Sequence, residues 1–178
     1  MTDQETGDGE TAHDGPAYAH VAVDELPDAP NPTRHKKEVD EAVGATAFGF
    51  NVVVADPGER VPWGYHRHPD HEELFYVLSG TLHVETPDGD YEVTADEAFF
   101  VPRDAPQRAV AGEDGCRLVA VGAPKTTDGA VLSEPCPACG AETDREYDAV
   151  ETDETTAYVL TCADCGAETD RLYPGPAE

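Results

Sequence analysis

Between residues 45 and 123 short apolar runs alternate with turn signals: ATAFGFNVVVA then DPGE, LFYVL then SG, TLHVE then TPDGD, YEVT then ADE, followed by AFFVP and CRLVAVGA. Turns roughly every ten residues, with no sustained helical period, indicate an all-β sandwich or barrel. Pro87-Asp88-Gly89 stands between TLHVE and YEV and predicts a hairpin there. Around this block the chain divides by composition. Residues 1–17 are polar, Gly-rich and acidic and read as a disordered leader; residues 18–39 read as an N-terminal extension. The extension predicts a short strand in AYAHVAVDEL, then turns at Pro27, Pro30 and Pro32; RHKKEVDEAVG then predicts a helical turn ending at Gly44. The barrel is expected over 40–123, a linker over 124–131 and a separate cysteine-bearing module over 132–174.

Charge narrows the partners. The 178 residues hold 38 acids and 11 Lys plus Arg, for a formal net charge of −27. The excess is spread out: 10 acids against 3 bases in 1–40, 15 against 6 in 41–125, and 13 against 2 in 126–178. Phosphate contacts need a basic patch, so nucleic acid and anionic membrane surfaces are not expected as partners. Such a surface repels itself at ordinary ionic strength, whereas at molar salt the Debye length falls to about 3 Å and the repulsion is screened. Lys36, Lys37 and Lys125 are the only lysines and isoleucine is absent. The composition resembles that of proteins from halophilic archaea. With neither a basic leader nor an apolar core at the N-terminus, the expected location is the cytoplasm.

Cys136, Cys139, Cys162 and Cys165 form CxxC, 22 intervening residues, then CxxC. Four thiolates in two tight turns suit a tetrahedral zinc ion. CPACGAETDREY at 136–147 returns as CADCGAETDRLY at 162–173, matching at nine of twelve positions. The module resembles a zinc ribbon, in which the metal supplies stability that so short a segment cannot bury for itself. Two disulfides or a redox pair are the other readings; the first needs an oxidising compartment and the second a strand–helix setting. The ribbon's role is then architectural or a contact with a protein partner. Cys116, far from the pairs, reads as a small core or turn residue.

The stretch PGERVPWGYHRHPDHEELFYVLSG, residues 57–80, carries the chemistry. One residue separates His66 from His68, so on a strand both imidazoles share a face. A turn at Pro69-Asp70 brings Glu73 back opposite them. Two imidazoles and one carboxylate on one side of a divalent metal leave positions open for substrate or oxygen, an arrangement suited to Fe(II). The spacing does not choose among Fe(II), Mn, Ni and Zn.

His66, His68, Glu73 and Gly80, in the pattern HxH, four residues, Glu, six residues, Gly, resemble the first motif of the cupin superfamily, and DEAFFVPRDAPQ at 96–107 aligns with the entry to the second. The resemblance implies a double-sheet jelly roll, metal-dependent work on a small molecule inside the barrel, and a homodimer. It covers dioxygenases, isomerases and epimerases, as well as members that only bind or sense a ligand. The second motif departs from the pattern. Asp96 and Asp104 stand where glycines are usual, Gln107 where a third His ligand is usual, and Ala111 where an Asn is usual. Gln107 is a weaker neutral donor that ligates the metal, holds a water or touches substrate. As an amide it is no acid or base, which favours oxygen chemistry or plain binding over proton-transfer isomerisation. His71 reads as a solvated turn residue or as a second-shell group. Arg67, Arg103 and Arg108 read as ion-pair partners or anchors for an anionic ligand. His83 is expected to be exposed, and Phe75, Val77, Phe99 and Val101 to pack inside.

Overall fold

The computed structural model describes residues 18–29, 31–33, 35–127, 129–152 and 156–173. The expected leader lies outside them. Among the described residues the protein is nearly all β, in two sheets. The larger joins β1 (His35–Glu38), β2 (Gly49–Ala55), β7 (Arg108–Ala123), β4 (Glu72–Thr86) and β5 (Gly89–Thr94) in that order, with β6 (Ala98–Val101) also on β4. The smaller runs β11 (Glu168–Leu172), β10 (Thr156–Cys162), β9 (Glu142–Glu151), β8 (Val131–Pro135) and β3 (His66–Arg67).

Strands β4 and β7 form the spine. They pair antiparallel from Glu72 opposite Ala123 to Glu85 opposite Arg108, with register shifts on either side of Ser79-Gly80. The sequence marks Ser79-Gly80 as a turn between two strands. Instead the chain runs straight through it and bends, because the bulge opposite Gly115 takes up the curvature. β7 likewise begins well before the apolar run CRLVAVGA that marks it in the sequence. Gly80 has φ +76, and a Cβ there would lie 2.1 Å from the carbonyl oxygen of Gly115. The motif glycine is therefore a close-approach residue. Two aspartates also take the left-handed conformation, Asp96 (φ 69) and Asp104 (φ 59), at the two places where the resembled motif has glycine. Aspartate tolerates that backbone better than most residues.

Period-two alternation fills the barrel. Val53, Phe75, Val77, Leu82, Val84, Val101 and Leu118 face one cluster, and Cys116 joins it. Burying a side chain such as Phe75 or Leu82 stabilises by about 1.5–3 kcal/mol. Phe99 is only partly buried and packs against Tyr91, with ring centroids 5.0 Å apart. The opposite face of β4 leaves Leu74, Tyr76 and Leu78 exposed, with Phe100 of β6 directly opposite Leu74.

The N-terminal extension differs from expectation. The described part of AYAHVAVDEL, from Tyr18 on, forms no strand; Val23–Glu25 is a single 3-10 turn. The free edge of β2 is taken by β1 instead, with Lys36 opposite Val53 and Glu38 opposite Asn51. A one-turn helix, α1 (Val39–Val43), follows and ends at Gly44 in the left-handed conformation, as the sequence predicts.

The cysteine-bearing strands do not stand apart from the barrel. β8 pairs with β3, Leu132 opposite His66 and Val131 opposite Arg67, and β9 pairs with β8 from Leu132 opposite Arg145 onward. Arg67, the outward residue between the two histidines, reaches Asp104 and, at 4.0 Å, Asp144 of β9.

Candidate metal centres

His66 is fixed on both sides of its backbone. It exchanges hydrogen bonds with Gln107 (2.9 and 2.8 Å) and pairs with Leu132 of β8. Its ring is fixed too: Nδ1 donates to the Gly64 carbonyl at 2.9 Å, which leaves the Nε2 lone pair directed inward. His68 follows on the same face, ring centroids 5.1 Å from His66, and its Nε2 lies 3.5 Å from Glu73 Oε2. Donor atoms of His66, His68 and Glu73 all lie within 4.8 Å of one another. Both imidazoles are buried.

Burial pushes the His68 pKa down to about 3, helped by the nearby His66 and His71 rings. The ring is therefore neutral at ordinary pH, the form a metal needs. Gln107 is also buried; its Nε2 lies 3.2 Å from His66 Nε2, and its Oε1 is a buried oxygen with no hydrogen-bond partner. His66 Nε2, the neutral His68 ring and the Glu73 carboxylate, with the Gln107 amide against His66, are a donor set that fits a divalent cation.

The other candidates lie elsewhere. His71 is no solvated turn residue: it is buried, donates from Nδ1 to the Pro124 carbonyl at 3.0 Å, and packs on the bare backbone of Gly122, with its ring 5.2 Å from His68. It stands behind His68, outside the three-residue cluster. Arg108 departs from the anchoring role considered for it in the cavity. Its neighbour Ala109 faces the core, so Arg108 points outward and pairs with Glu85. Arg103 is exposed, 4.0 Å from Glu72, and His83 is exposed.

The triad opens into a cavity of about 250 Å³. Sequence reasoning missed most of its wall. Asn31 and Thr33 come from the extension, Lys36 from β1 and Asn51 from β2, while Trp63 precedes the histidines and Tyr147 belongs to β9. Alternation along β2 signals Asn51, which shares the inward face of Val53. Nothing in the sequence signals Tyr147. Trp63 lies between two tyrosines of the cysteine-bearing segment, with ring centroids 5.7 Å from Tyr147 and 5.3 Å from Tyr158.

The second centre is built by the repeat. Gly140 N–H bonds to the Cys136 carbonyl and Gly166 N–H to the Cys162 carbonyl, at 2.8 and 2.9 Å, so the two knuckles are copies. They face each other, with Cys136 Sγ 3.8 Å from Cys165 Sγ and Cys139 Sγ 3.9 Å from Cys162 Sγ. A tetrahedral centre with metal–sulfur bonds of about 2.3 Å has edges of about 3.8 Å, so the four sulfurs fit one ion, and they are far from disulfide bonding distance. The Thr143 hydroxyl, 3.2 Å from Cys162 Sγ, and backbone amides hold the Cys162 thiol down to about 6. Burial alone pushes Cys116, in the barrel core, up to about 11.

Residues 51–122 match the cupin domain family, Cupin_2. The polyketide synthase CurC of Streptomyces cyaneus is 33% identical over 78 residues, which are 43% of this chain and 49% of that protein. The chain thus spans about half the length of the curated relative it matches. Among solved structures, a sugar phosphate isomerase from a cupin superfamily of Silicibacter pomeroyi DSS-3 superposes with a TM-score of 0.55 at 15% identity, covering 85% of this chain and all of that one. A cupin protein from Bacteroides fragilis gives 0.52 at 20% identity over 66% of this chain and 99% of its own. KdgF from Halomonas sp. gives 0.50 at 20% identity over 59% and 93%. At these identities the structural likeness is one of fold. Together with the bent β4–β7 spine and the matched stretch, it shows residues 51–122 as a cupin domain.

Proposed function

We propose that the barrel is a divalent-metal site that binds and transforms a small molecule, with oxygenase-like chemistry. The observation that carries this is the convergence of His66, His68 and Glu73 donors within 4.8 Å at the wall of a cavity, with the buried Gln107 amide against His66. His66 Nε2, His68, Glu73 and the Gln107 amide would hold the ion. When bound it supplies a Lewis acid and a site for oxygen. The chain's own residues do the rest. Lys36, the one Lys or Arg among the described residues that line the cavity, meets an anionic group, and Trp63 and Tyr147 cover a flat face. Asn31, Thr33 and Asn51 offer hydrogen bonds. A flat, oxygen-rich acid suits this lining; the polyketide synthase name of the curated relative points the same way.

Binding without turnover is the second reading. It is favoured by Gln107, which moves no proton, and by Lys36, which already holds Glu38 at 2.9 Å. Oxygen uptake that needs both Fe(II) and a small aromatic or enolic acid supports the enzyme. Saturable binding of such an acid with no uptake supports the sensor. We further read the ribbon ion as zinc and the exposed Leu74, Tyr76 and Phe100 face as the contact of a homodimer. A protein partner for the ribbon and a cytoplasmic location complete the proposal. Among the described residues no helix is long and apolar enough to cross a membrane.

A further inference from the structure

The ribbon's hydrogen bonds lead from the thiolates to a metal-binding imidazole. Thr143 Oγ1 lies 3.2 Å from Cys162 Sγ. Arg145, buried on β9, donates through one guanidinium nitrogen to Thr143 Oγ1 and to the Thr143 carbonyl, at 3.0 and 2.7 Å. Its other nitrogen donates to the Glu134 carbonyl on β8. The Glu134 carboxylate turns to the barrel, where its Oε1 accepts the Tyr65 N–H at 2.9 Å. It fits only because residue 64 has no side chain: a Cβ on Gly64 would lie 2.5 Å from that oxygen. The Gly64 carbonyl, thus fixed, accepts from His66 Nδ1. Ser133 N–H adds a bond to the Tyr65 carbonyl at 3.0 Å. The same strands bring Leu132 and Tyr147 into the cavity wall.

We infer that the four-cysteine ribbon is a working part of the barrel site, and that Glu134 is a positioning residue that holds the Tyr65 and Gly64 backbone so that His66 keeps its tautomer and aim. This rests on the reading of His66, His68 and Glu73 as metal ligands. Outer-shell partners of a ligating histidine set metal affinity over roughly 10–100-fold. Glu134 acts one bond further out, so the low end of that range applies.

The test uses the full chain at molar salt, with the ribbon loaded with zinc. Mn(II) probes the barrel, because it prefers oxygen and nitrogen donors to thiolates. Glu134→Ala should weaken Mn(II) binding roughly tenfold. Glu134→Gln, which keeps the accepting oxygen, should stay within about twofold of the parent, and both variants should keep the ribbon zinc. Trp63 is the sole tryptophan. Its emission should shift when the ribbon ion is stripped and return when it is restored, a readout independent of the variants' folding. Unchanged Mn(II) affinity in Glu134→Ala overturns the inference whatever the emission does, and so does equal weakening in Glu134→Gln. If the parent chain binds no Mn(II), the metal reading of the barrel fails. The emission then decides the ribbon's coupling alone: a shift supports it and an unmoved spectrum overturns it.

Discussion

Gly80 and Gly115 meet back to back across the β4–β7 bulge, so close that a single methyl group on Gly80 would sit 2.1 Å from the Gly115 oxygen. Both have positive φ. Gly80→Ala should therefore cost about 3 kcal/mol or more, from clash and left-handed strain together. Denaturant unfolding at molar salt measures it; a loss below about 1 kcal/mol would mean that the bend relaxes freely.

Metal content separates the two centres. The parent chain should carry two ions, and a His66→Ala/His68→Ala double variant one, since the four cysteines keep theirs. Elemental analysis of protein purified at high salt checks this. Two ions retained in the double variant would remove the imidazoles from the metal reading.

Lys125 ties the barrel's exit to α1. Its Nζ lies 2.6 Å from Asp40 and 2.9 Å from Glu41, and donates to the Ala45 carbonyl. Burial works to raise the Asp40 pKa, but the Lys125 hydrogen bond and the Phe50 amide outweigh it and hold the carboxyl below its ordinary 3.8. A lowered carboxyl pKa stabilises the fold at pH values above the unfolded value, and that contribution is lost as pH falls through the folded one. Lys125→Met should lower stability at neutral pH, because it takes the cation away from the Asp40 carboxylate. The deficit should shrink below about pH 4, where the parent loses the same contribution. Denaturant midpoints at pH 7 and pH 3.5 decide it, and a deficit independent of pH would sink the pair's role.

The exposed row on β4 and β6 gives a simple association test. Phe100→Glu, opposite Leu74, should convert a dimer to monomers at molar salt, seen as a halved mass by sedimentation. A parent chain that already sediments as a monomer overturns the homodimer. Dilution of the parent to about 0.1 M salt should lower its melting point, because a net charge of −27 is then screened over about 10 Å instead of 3.

Much of the barrel was legible because its signals are local. Period two put His66 and His68 on one face, and Phe75, Val77 and Val101 inside. Asp96 and Asp104 marked glycine positions of the resembled motif and take up the glycine conformation. The errors arose where the partner strand is remote. Ser79-Gly80 reads as a turn unless Gly115 is known to lie against it. The free edge of β2 went to His35–Glu38, whose polar side chains conceal a strand. The ribbon appeared as an appendage because β3 is two residues long and its partner begins 65 residues after His66. No local pattern reports a pairing of that span.

The pairing of β8 with β3 also bears on how the protein can be shortened. A polypeptide ending near residue 130 would strip the outer hydrogen-bond row from His66–Arg67 and leave Leu132's place open. That bare strand edge would seek another chain, so the excised domain should precipitate or swap strands rather than persist as a smaller soluble unit.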